Sequence, residues 1–210
     1  MKFHLKGWKN CSRKTNRDKT MKSLKEKILK EGVAIGTEIV KVDHFLNHRL
    51  DVKFLEEVGA EFKKRFEDDE INKILTVEAS GIAVASLTAP YFDYAPVVFA
   101  KKAAPNTMTE GFYVAEAKSF TKGTVSLLRV SERFLEKGDK VLIIDDFLAH
   151  GQASLALADL VEQAGGEVVG VGAVIEKGFQ GGSERLRNKG YRVESLAVID
   201  SIEEGRIIFK

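Results

Sequence analysis

The 210-residue sequence has a single cysteine, almost no net charge and no long apolar run, and each of these absences excludes a class of protein. Cys11 has no partner for an internal disulfide, so a reducing compartment such as the cytoplasm is expected. No stretch approaches the roughly 20 apolar residues of a membrane span. The basic N-terminus lacks the apolar core of a secretory signal. The net charge of +2 points to neither nucleic acid nor a membrane as partner.

The composition is that of a soluble globular protein, with 44% apolar and 30% charged residues. Residues 1–20 stand apart because they are polar and unperiodic, and their seven basic residues are opposed only by Asp18. We predict that residues 1–20 form a disordered extension and that residues 21–210 form one domain. The alternative is that the extension is a nucleic-acid-binding arm.

Residues 141–153 combine a strand, two acids and a turn of small residues that leads into a helix. Four branched apolar residues, 141–144, predict a strand buried on both faces. Asp145 and Asp146 follow at its end, and residues 149–153 form the turn. Backbone N–H groups at a helix start bind anions, so this run suits a ligand with a phosphate and sugar hydroxyls. Asp146 could instead simply cap a turn. Neither a Walker loop nor a GxGxxG fingerprint is present here.

Strand-like and helix-like segments alternate along the chain. Strands are predicted at residues 37–42, 71–77, 97–100, 124–130, 141–144, 168–176 and 193–199, and helices at 22–31, 51–66, 82–89, 155–164 and 183–188. This alternation predicts parallel pairing in a doubly wound α/β sheet, with ligands at the carboxyl ends of its strands. The aromatic stripe of Phe54, Phe62 and Phe66 has helical spacing and is predicted to lie in the core.

Residues 103–123 interrupt this pattern, because they are mostly polar and include Pro105 and Gly111. A loop longer than about 12–15 residues in a compact domain is usually functional or mobile. The segment Phe112, Tyr113 and Val114 could instead form a short edge strand. Both readings stay open at this point.

Five segments resemble type I phosphoribosyltransferases. Asp145 and Asp146, followed by residues 149–153, are similar to the family's signature for phosphoribosyl pyrophosphate. Four other segments are similar to the branch of the family that uses xanthine: residues 41–48, 119–122, 174–180 and 190–197. The resemblance covers about residues 21–210. It implies the family fold, which is a doubly wound, mostly parallel sheet flanked by helices, with a small hood and a flexible loop.

The resemblance implies transfer of a phosphoribosyl group from phosphoribosyl pyrophosphate to xanthine. Asp145 and Asp146 would accept hydrogen bonds from the ribose hydroxyls. The residues that would hold the donor's 5′-phosphate are Ala149, His150, Gly151, Gln152 and Ala153. Mg²⁺ would arrive on the pyrophosphate, with no site made by protein side chains alone. His150 stands where the family often has Asn, and its side chain either has a role or is merely exposed.

Two further groups of residues are implied for the rest of the reaction. Pyrophosphate would bind at the helix start of Ser80 and Gly81, helped by one or both of Lys101 and Lys102, which could also be solvated surface. The residues implied to bind xanthine are Val40, Asn47 and Lys177, with Lys177 donating to O6. Phe179 is predicted to pack in the core. We assign no catalytic acid or base, because a xanthine anion is accessible near neutral pH.

Two other functions fit parts of this pattern. A hypoxanthine/guanine phosphoribosyltransferase would share the fold, but residues 41–48 and 191–197 favour the xanthine branch. A non-catalytic regulator that senses phosphoribosyl pyrophosphate would carry a winged helix ahead of the fold, and about 20 polar residues are too few for one. Lys177 argues against adenine, whose 6-amino group needs an acceptor. The family also implies a homodimer.

Overall fold

The computed structural model describes residues 20–103, 111–119 and 124–210. The helices within these ranges are α1 (Lys22–Glu31), α2 (Val52–Arg65), α3 (Ser80–Thr88), α4 (Gln152–Gln163) and α5 (Gly182–Asn188). The strands are β1 (Val33–Ile35), β2 (Ile39–Lys41), β3 (Lys73–Val77), β4 (Val97–Ala100), β5 (Phe112–Ser119), β6 (Thr124–Ser131), β7 (Lys140–Leu148), β8 (Glu167–Lys177), β9 (Val193–Glu203) and β10 (Arg206–Phe209). Single helical turns cover Asp43–Asn47, Ala89–Phe92 and Gly178–Gln180.

The central sheet has six strands in the order β10-β9-β8-β7-β3-β4. Neighbouring strands from β9 to β4 run parallel, and only the edge strand β10 is antiparallel. The chain passes from β7 to β8 and β9 in one direction, but from β3 to β4 in the other. This reversal between β3 and β7 opens a crevice at their carboxyl ends, which is where ligands bind in sheets of this type.

Both faces of the sheet are covered by helices. Leu142 and Ile144 pack in the same core as α1, α2 and α3, whereas Val141 and Ile143 pack in a second core with α4 and α5. The strand β7 is therefore an apolar run because each of its faces is buried. The predicted doubly wound sheet is confirmed.

The predicted aromatic stripe of α2 is in the core, because Phe62 and Phe66 are fully buried. Their rings lie against two glycines of β8. A Cβ at Gly170 would come within 2.5 Å of the Phe66 ring, and one at Gly172 would lie 2.8 Å from the Phe62 ring. The small residues of β8 thus make room for the aromatic residues of α2.

Several elements differ from the predictions. The strand expected at residues 37–42 begins only at Ile39, because β1 and β2 form a short antiparallel hairpin whose turn includes Thr37 and Glu38. Phe112–Ser119 is a full strand that pairs with β6, so of the two open alternatives the strand that includes Phe112, Tyr113 and Val114 is confirmed, in a longer form, and an unbroken loop over residues 103–123 is wrong. β10 was not predicted. Phe179 was expected in the core but is 40% exposed, since its short turn follows the end of β8.

Two predictions concern residues outside the described ranges. The basic extension with Cys11 falls there, except for Thr20, as do residues 104–110 and 120–123 of the expected flexible loop. None of the helices in the described ranges is long and apolar enough to cross a membrane.

Candidate active site

The two acids of the strand–turn–helix run lie at the reversal between β3 and β7. The strand β7 continues to Leu148, four residues beyond the predicted end at residue 144, so Asp145 and Asp146 lie within it. This part of β7 is paired with the parallel strand β8, in which Ala173 lies opposite Asp145 and Ile175 lies opposite Phe147. The paired backbone holds both carboxylates rigidly at the carboxyl end of the sheet.

Both carboxylates are buried, each with only 7% of the residue exposed. The backbone N–H of Asp146 donates to Asp145 Oδ1 at 3.0 Å. Burial, and next the negative charge of Asp146, raise the pKa of Asp145 well above its usual range, and the charge of Lys102 opposes this only in part. The site therefore favours an added cation or hydroxyl donors near this carboxylate.

The predicted cradle is a turn into the first residues of α4. Gly151 has a φ of 77°, a left-handed conformation in which glycine avoids steric strain, and α4 begins at Gln152. The residue at the N-cap position is Gly151 itself, which has no side chain that could cap the helix. Its first backbone N–H groups have no partner within the helix, so they are available to an anion.

Two cavities meet at the acids and the start of α4. The cradle cavity, of about 300 Å³, is lined by Lys118, Asp145, Phe147, Leu148, Ala149, His150, Gly151, Gln152, Ala153, Ser154, Lys177 and Gln180. The acid cavity, of about 470 Å³, is lined by Val77, Glu78, Ser80, Lys102, Ala117, Lys118, Ser126, Leu128, Asp145, Asp146, Gln152 and Ala153. The residues that line both cavities are Lys118, Asp145, Gln152 and Ala153.

The start of α3 lies directly beside the acids. Ser80 lines the acid cavity. A Cβ at Gly81 would lie 2.1 Å from Thr76 Oγ1 and 3.2 Å from Asp145 Oδ1, so only glycine lets the helix approach so closely. Glu78 Oε1 accepts a hydrogen bond at 2.5 Å from the backbone N–H of Lys102 and thereby connects the ends of β3 and β4.

Of the two adjacent lysines after β4, only one lines either of the two cavities. Lys102 lines the acid cavity. Lys101 pairs through its backbone with Arg129, and its ammonium lies 5.9 Å from the centre of the Phe99 ring, away from both cavities. The geometry thus favours Lys102 of the two as a pyrophosphate ligand.

The residues predicted to bind the base lie on three elements: Val40 on β2, Asn47 in the helical turn Asp43–Asn47, and Lys177 at the end of β8. Lys177 Nζ donates to the Glu38 carbonyl, in the turn between β1 and β2, at 2.8 Å, and burial lowers the pKa of this lysine. Asn47 Nδ2 donates to Asp146 Oδ2 at 3.3 Å. Val40 is buried in β2, and neither Val40 nor Asn47 lines the two cavities. Lys177 thus reaches the site by lining the cradle cavity, and Asn47 reaches it through its hydrogen bond to Asp146.

Sequence reasoning missed several residues at the site, among them Lys118, Gln180 and Arg185. Lys118 projects from β5 into both cavities, and Gln180 lines the cradle cavity. Arg185 Nη1 donates to the His150 carbonyl of the cradle at 3.1 Å. Lys118 directly precedes one of the segments that carried the resemblance, and Gln180 ends another, so their position in the sequence was the only available signal.

Within residues 20–103, 111–119 and 124–210, no group of three or more His, Cys, Asp or Glu side chains could hold a metal ion. The groups that fit Mg²⁺ best are Asp145 and Asp146, since both are buried oxygen ligands beside which positive charge is favoured. Two carboxylates are few for a complete coordination shell, so the other ligands would come from a bound molecule and water.

Comparison with known proteins points to one family. The profile of the phosphoribosyl transferase domain matches residues 50–204. The chain is 56% identical over 190 residues to xanthine phosphoribosyltransferase 1 of Clostridium perfringens, covering 90% of this chain and all of that protein. It is 52% identical, with the same coverage, to xanthine phosphoribosyltransferase of Clostridioides difficile.

Solved structures agree as well. Adenine phosphoribosyltransferase of Rhodothermus marinus superposes with a TM-score of 0.67 at 24% identity, covering 84% of this chain and 98% of that chain, which supports the fold alone. Adenine phosphoribosyltransferase of Thermoanaerobacter pseudethanolicus superposes with a TM-score of 0.62 at 26% identity, covering 70% of this chain and 81% of that chain. On its profile match, its close relatives and its fold, this chain belongs to the phosphoribosyltransferase family.

Proposed function

We propose that this protein is a purine salvage enzyme that converts xanthine and phosphoribosyl pyrophosphate to xanthosine 5′-monophosphate and pyrophosphate. The observation that carries the proposal is the convergence of Asp145 and Asp146, the cradle and the start of α3 at one crevice. A donor with a phosphate at each end of its sugar requires such a set of groups. The names of the close relatives support xanthine as the acceptor.

The reaction breaks the bond between sugar C1 and a pyrophosphate oxygen and forms a bond between C1 and a purine ring nitrogen. The pyrophosphate leaves with the electron pair, and the nitrogen of the xanthine anion supplies the new one. No proton needs to move if the anion binds. The protein then has to position two reactants and stabilise the charges that separate.

Each group of residues has one task in this scheme. The cradle donates to the 5′-phosphate, and Asp145 and Asp146 accept from the ribose hydroxyls. Their negative charge also stabilises the positive charge that develops on the sugar. Ser80 and Lys102 receive the pyrophosphate. Mg²⁺ bound to the donor would supply positive charge at the leaving group, and Asp145 and Asp146 are the side chains that could hold it.

Lys177 supports an oxopurine as the acceptor. Its ammonium can only donate hydrogen bonds, which suits O6 of xanthine but not the 6-amino group of adenine. Hypoxanthine and guanine share O6, so the preference for xanthine over them rests on the relatives. We also propose that the enzyme acts in the cytoplasm as a homodimer, that residues 21–210 form its domain, and that the donor binds with Mg²⁺.

A panel of bases tests this proposal. Purified protein would be incubated with phosphoribosyl pyrophosphate, Mg²⁺ and one of xanthine, guanine, hypoxanthine or adenine, and pyrophosphate release would be measured. We expect the highest kcat/KM with xanthine. Activity with adenine alone would refute the choice of base, and binding of the donor without turnover on any base would favour a non-catalytic sensor.

A further inference from the structure

The short helix α5 packs directly on the backbone of the cradle. A Cβ at Gly182, its first residue, would lie 2.3 Å from the Ala149 carbonyl oxygen and 2.9 Å from the Gly151 nitrogen. Because glycine alone permits this approach, a displacement of α5 would be passed to the cradle through backbone contact.

Arg185 of α5 joins the cradle to the turn that follows Lys177. Its Nη1 donates to two carbonyl oxygens, that of His150 at 3.1 Å and that of Gln180 at 2.9 Å. Gln180 ends the helical turn that starts directly after Lys177. One guanidinium nitrogen thus connects the backbone at the phosphate with the backbone beside the base. The Arg185 side chain is exposed, so the folded core does not depend on it.

The start of α5 is fixed from the other side by a buried carboxylate. Glu176 is 4% exposed, and its two oxygens accept hydrogen bonds from Ser183 of α5 and from Ser195 of β9, the latter at 2.6 Å. Glu176 directly precedes Lys177, so the strand that carries the base-binding lysine also anchors α5. Both carboxylate oxygens have partners within the protein, which makes Glu176 a support and not a substrate ligand.

We infer that Arg185 is a positioning residue that couples binding of the base to binding of the ribose 5-phosphate part of the donor. The inference rests on the proposed function, which places the base at Lys177 and the phosphate at the cradle. A base bound at Lys177 would hold the turn after Lys177, and with it the Gln180 carbonyl, in one position. Because Arg185 donates to both the Gln180 and the His150 carbonyl, the cradle would then be held in position as well. Coupling of this kind is reciprocal, so the phosphate also favours the base.

The test measures the dissociation constant of ribose 5-phosphate with and without saturating xanthine. Ribose 5-phosphate has no pyrophosphate to lose, so the two ligands cannot react. We expect xanthine to tighten its binding by about five- to tenfold in the native protein, within the usual range of coupling between sites. In Arg185→Gln this ratio should fall to about one, and in Ser183→Ala it should fall part of the way.

Arg187→Gln is the matched control, because Arg187 lies on the same helix and donates to the Val193 carbonyl at 3.1 Å, away from the cradle. It should keep the native ratio. In turnover, Arg185→Gln should raise the KM for phosphoribosyl pyrophosphate at saturating xanthine and the KM for xanthine at saturating donor by similar factors, about five- to tenfold, because the coupling is reciprocal.

An unchanged ratio in Arg185→Gln would overturn the inference, and so would an equal loss in Arg187→Gln, which would indicate a general loosening of α5. If the native protein bound neither ribose 5-phosphate nor the full donor, the proposed function would fail as well. If the native protein bound ribose 5-phosphate and the full donor but xanthine did not tighten the binding of ribose 5-phosphate, only the inference about Arg185 would be overturned.

Discussion

Among single residues, Asp145 has the most unfavourable surroundings in the site. Its carboxylate is buried beside that of Asp146, and both effects raise its pKa. A carboxyl group with a raised folded-state pKa is most favourable to folding below its unfolded value, near 3.9, and loses that contribution as the pH rises through the folded value. At neutral pH this buried carboxylate therefore works against folding.

Asp145→Asn should be more stable and nearly inactive. The neutral amide removes the buried charge, so we expect the ligand-free variant to melt a few degrees higher at pH 7, with the difference vanishing near pH 4. Its kcat/KM should fall by about a hundredfold or more. Thermal melts across pH and steady-state kinetics measure both effects. The account would be contradicted if the melting temperature of the variant did not exceed that of the native protein by more at pH 7 than at pH 4.

Lys177→Met should impair use of the base much more than use of the donor. Loss of a charged hydrogen bond costs about 1.5–3 kcal/mol, so the KM for xanthine should rise by about 10- to 150-fold. The KM for phosphoribosyl pyrophosphate should change by about twofold at most. Lys189→Met, at the exposed end of α5, is the control. Equal losses for both substrates would remove Lys177 from the base site.

At the scale of elements, the turn between β7 and α4 depends on a glycine for two reasons. Gly151 adopts a left-handed φ of 77°, and a Cβ there would lie 3.0 Å from the Gly182 carbonyl oxygen. Gly190 has a φ of 93°, but a Cβ would have open space around it. Both glycines therefore adopt a left-handed backbone conformation, but only Gly151 is also in close contact with the backbone of α5.

Gly151→Ala should weaken donor binding, whereas Gly190→Ala should not. Both variants should lose about 1–2 kcal/mol of stability to the left-handed conformation. Only Gly151→Ala should also push α5 from the cradle and raise the KM for phosphoribosyl pyrophosphate by about tenfold, as loss of about 1.4 kcal/mol would. Chemical unfolding and kinetics on the pair separate these effects. Equal KM values in the two variants would refute a role for this contact.

The sequence predicted most of the elements of the central sheet and left the peripheral ones uncertain. Strand β7 and helix α2 follow from apolar runs and helical spacing, because burial dictates those patterns. By contrast, β10 is a short strand that pairs after a turn at Glu204 and Gly205, and its residues are only partly buried. Such an edge strand depends on its neighbour β9 more than on its own residues.

At the scale of the whole molecule, the site is an outcome of topology. Asn47 and Asp146 form a hydrogen bond across 99 positions of sequence, and Lys177 reaches the carbonyl of Glu38 across 139. No local pattern predicts such pairs. The resemblance to a family suggested Asn47, Asp146 and Lys177 as site residues but not these contacts between them or with Glu38. The crossing order of β3, β7 and β8 brings them together. Arg185 and Lys118 had neither local pattern nor resemblance to mark them as part of the site.

Removal of residues 1–20 should leave catalysis unchanged. The described fold begins at this point: the Met21 N–H donates to the Leu196 carbonyl at 2.7 Å, and α1 follows. A protein that starts at Met21 should have the native kcat and both native KM values within about twofold. A larger change in either KM would give the basic extension a part in the reaction and contradict the predicted domain boundary.

The most direct test of the account is a calorimetric titration with phosphoribosyl pyrophosphate and Mg²⁺. The native protein is compared with the double variant Asp145→Asn and Asp146→Asn, whose fold is checked by circular dichroism. We predict one donor site per chain in the native protein and binding weakened by at least about a hundredfold in the variant. Equal binding by the two proteins would show that the donor lies elsewhere and would contradict the account.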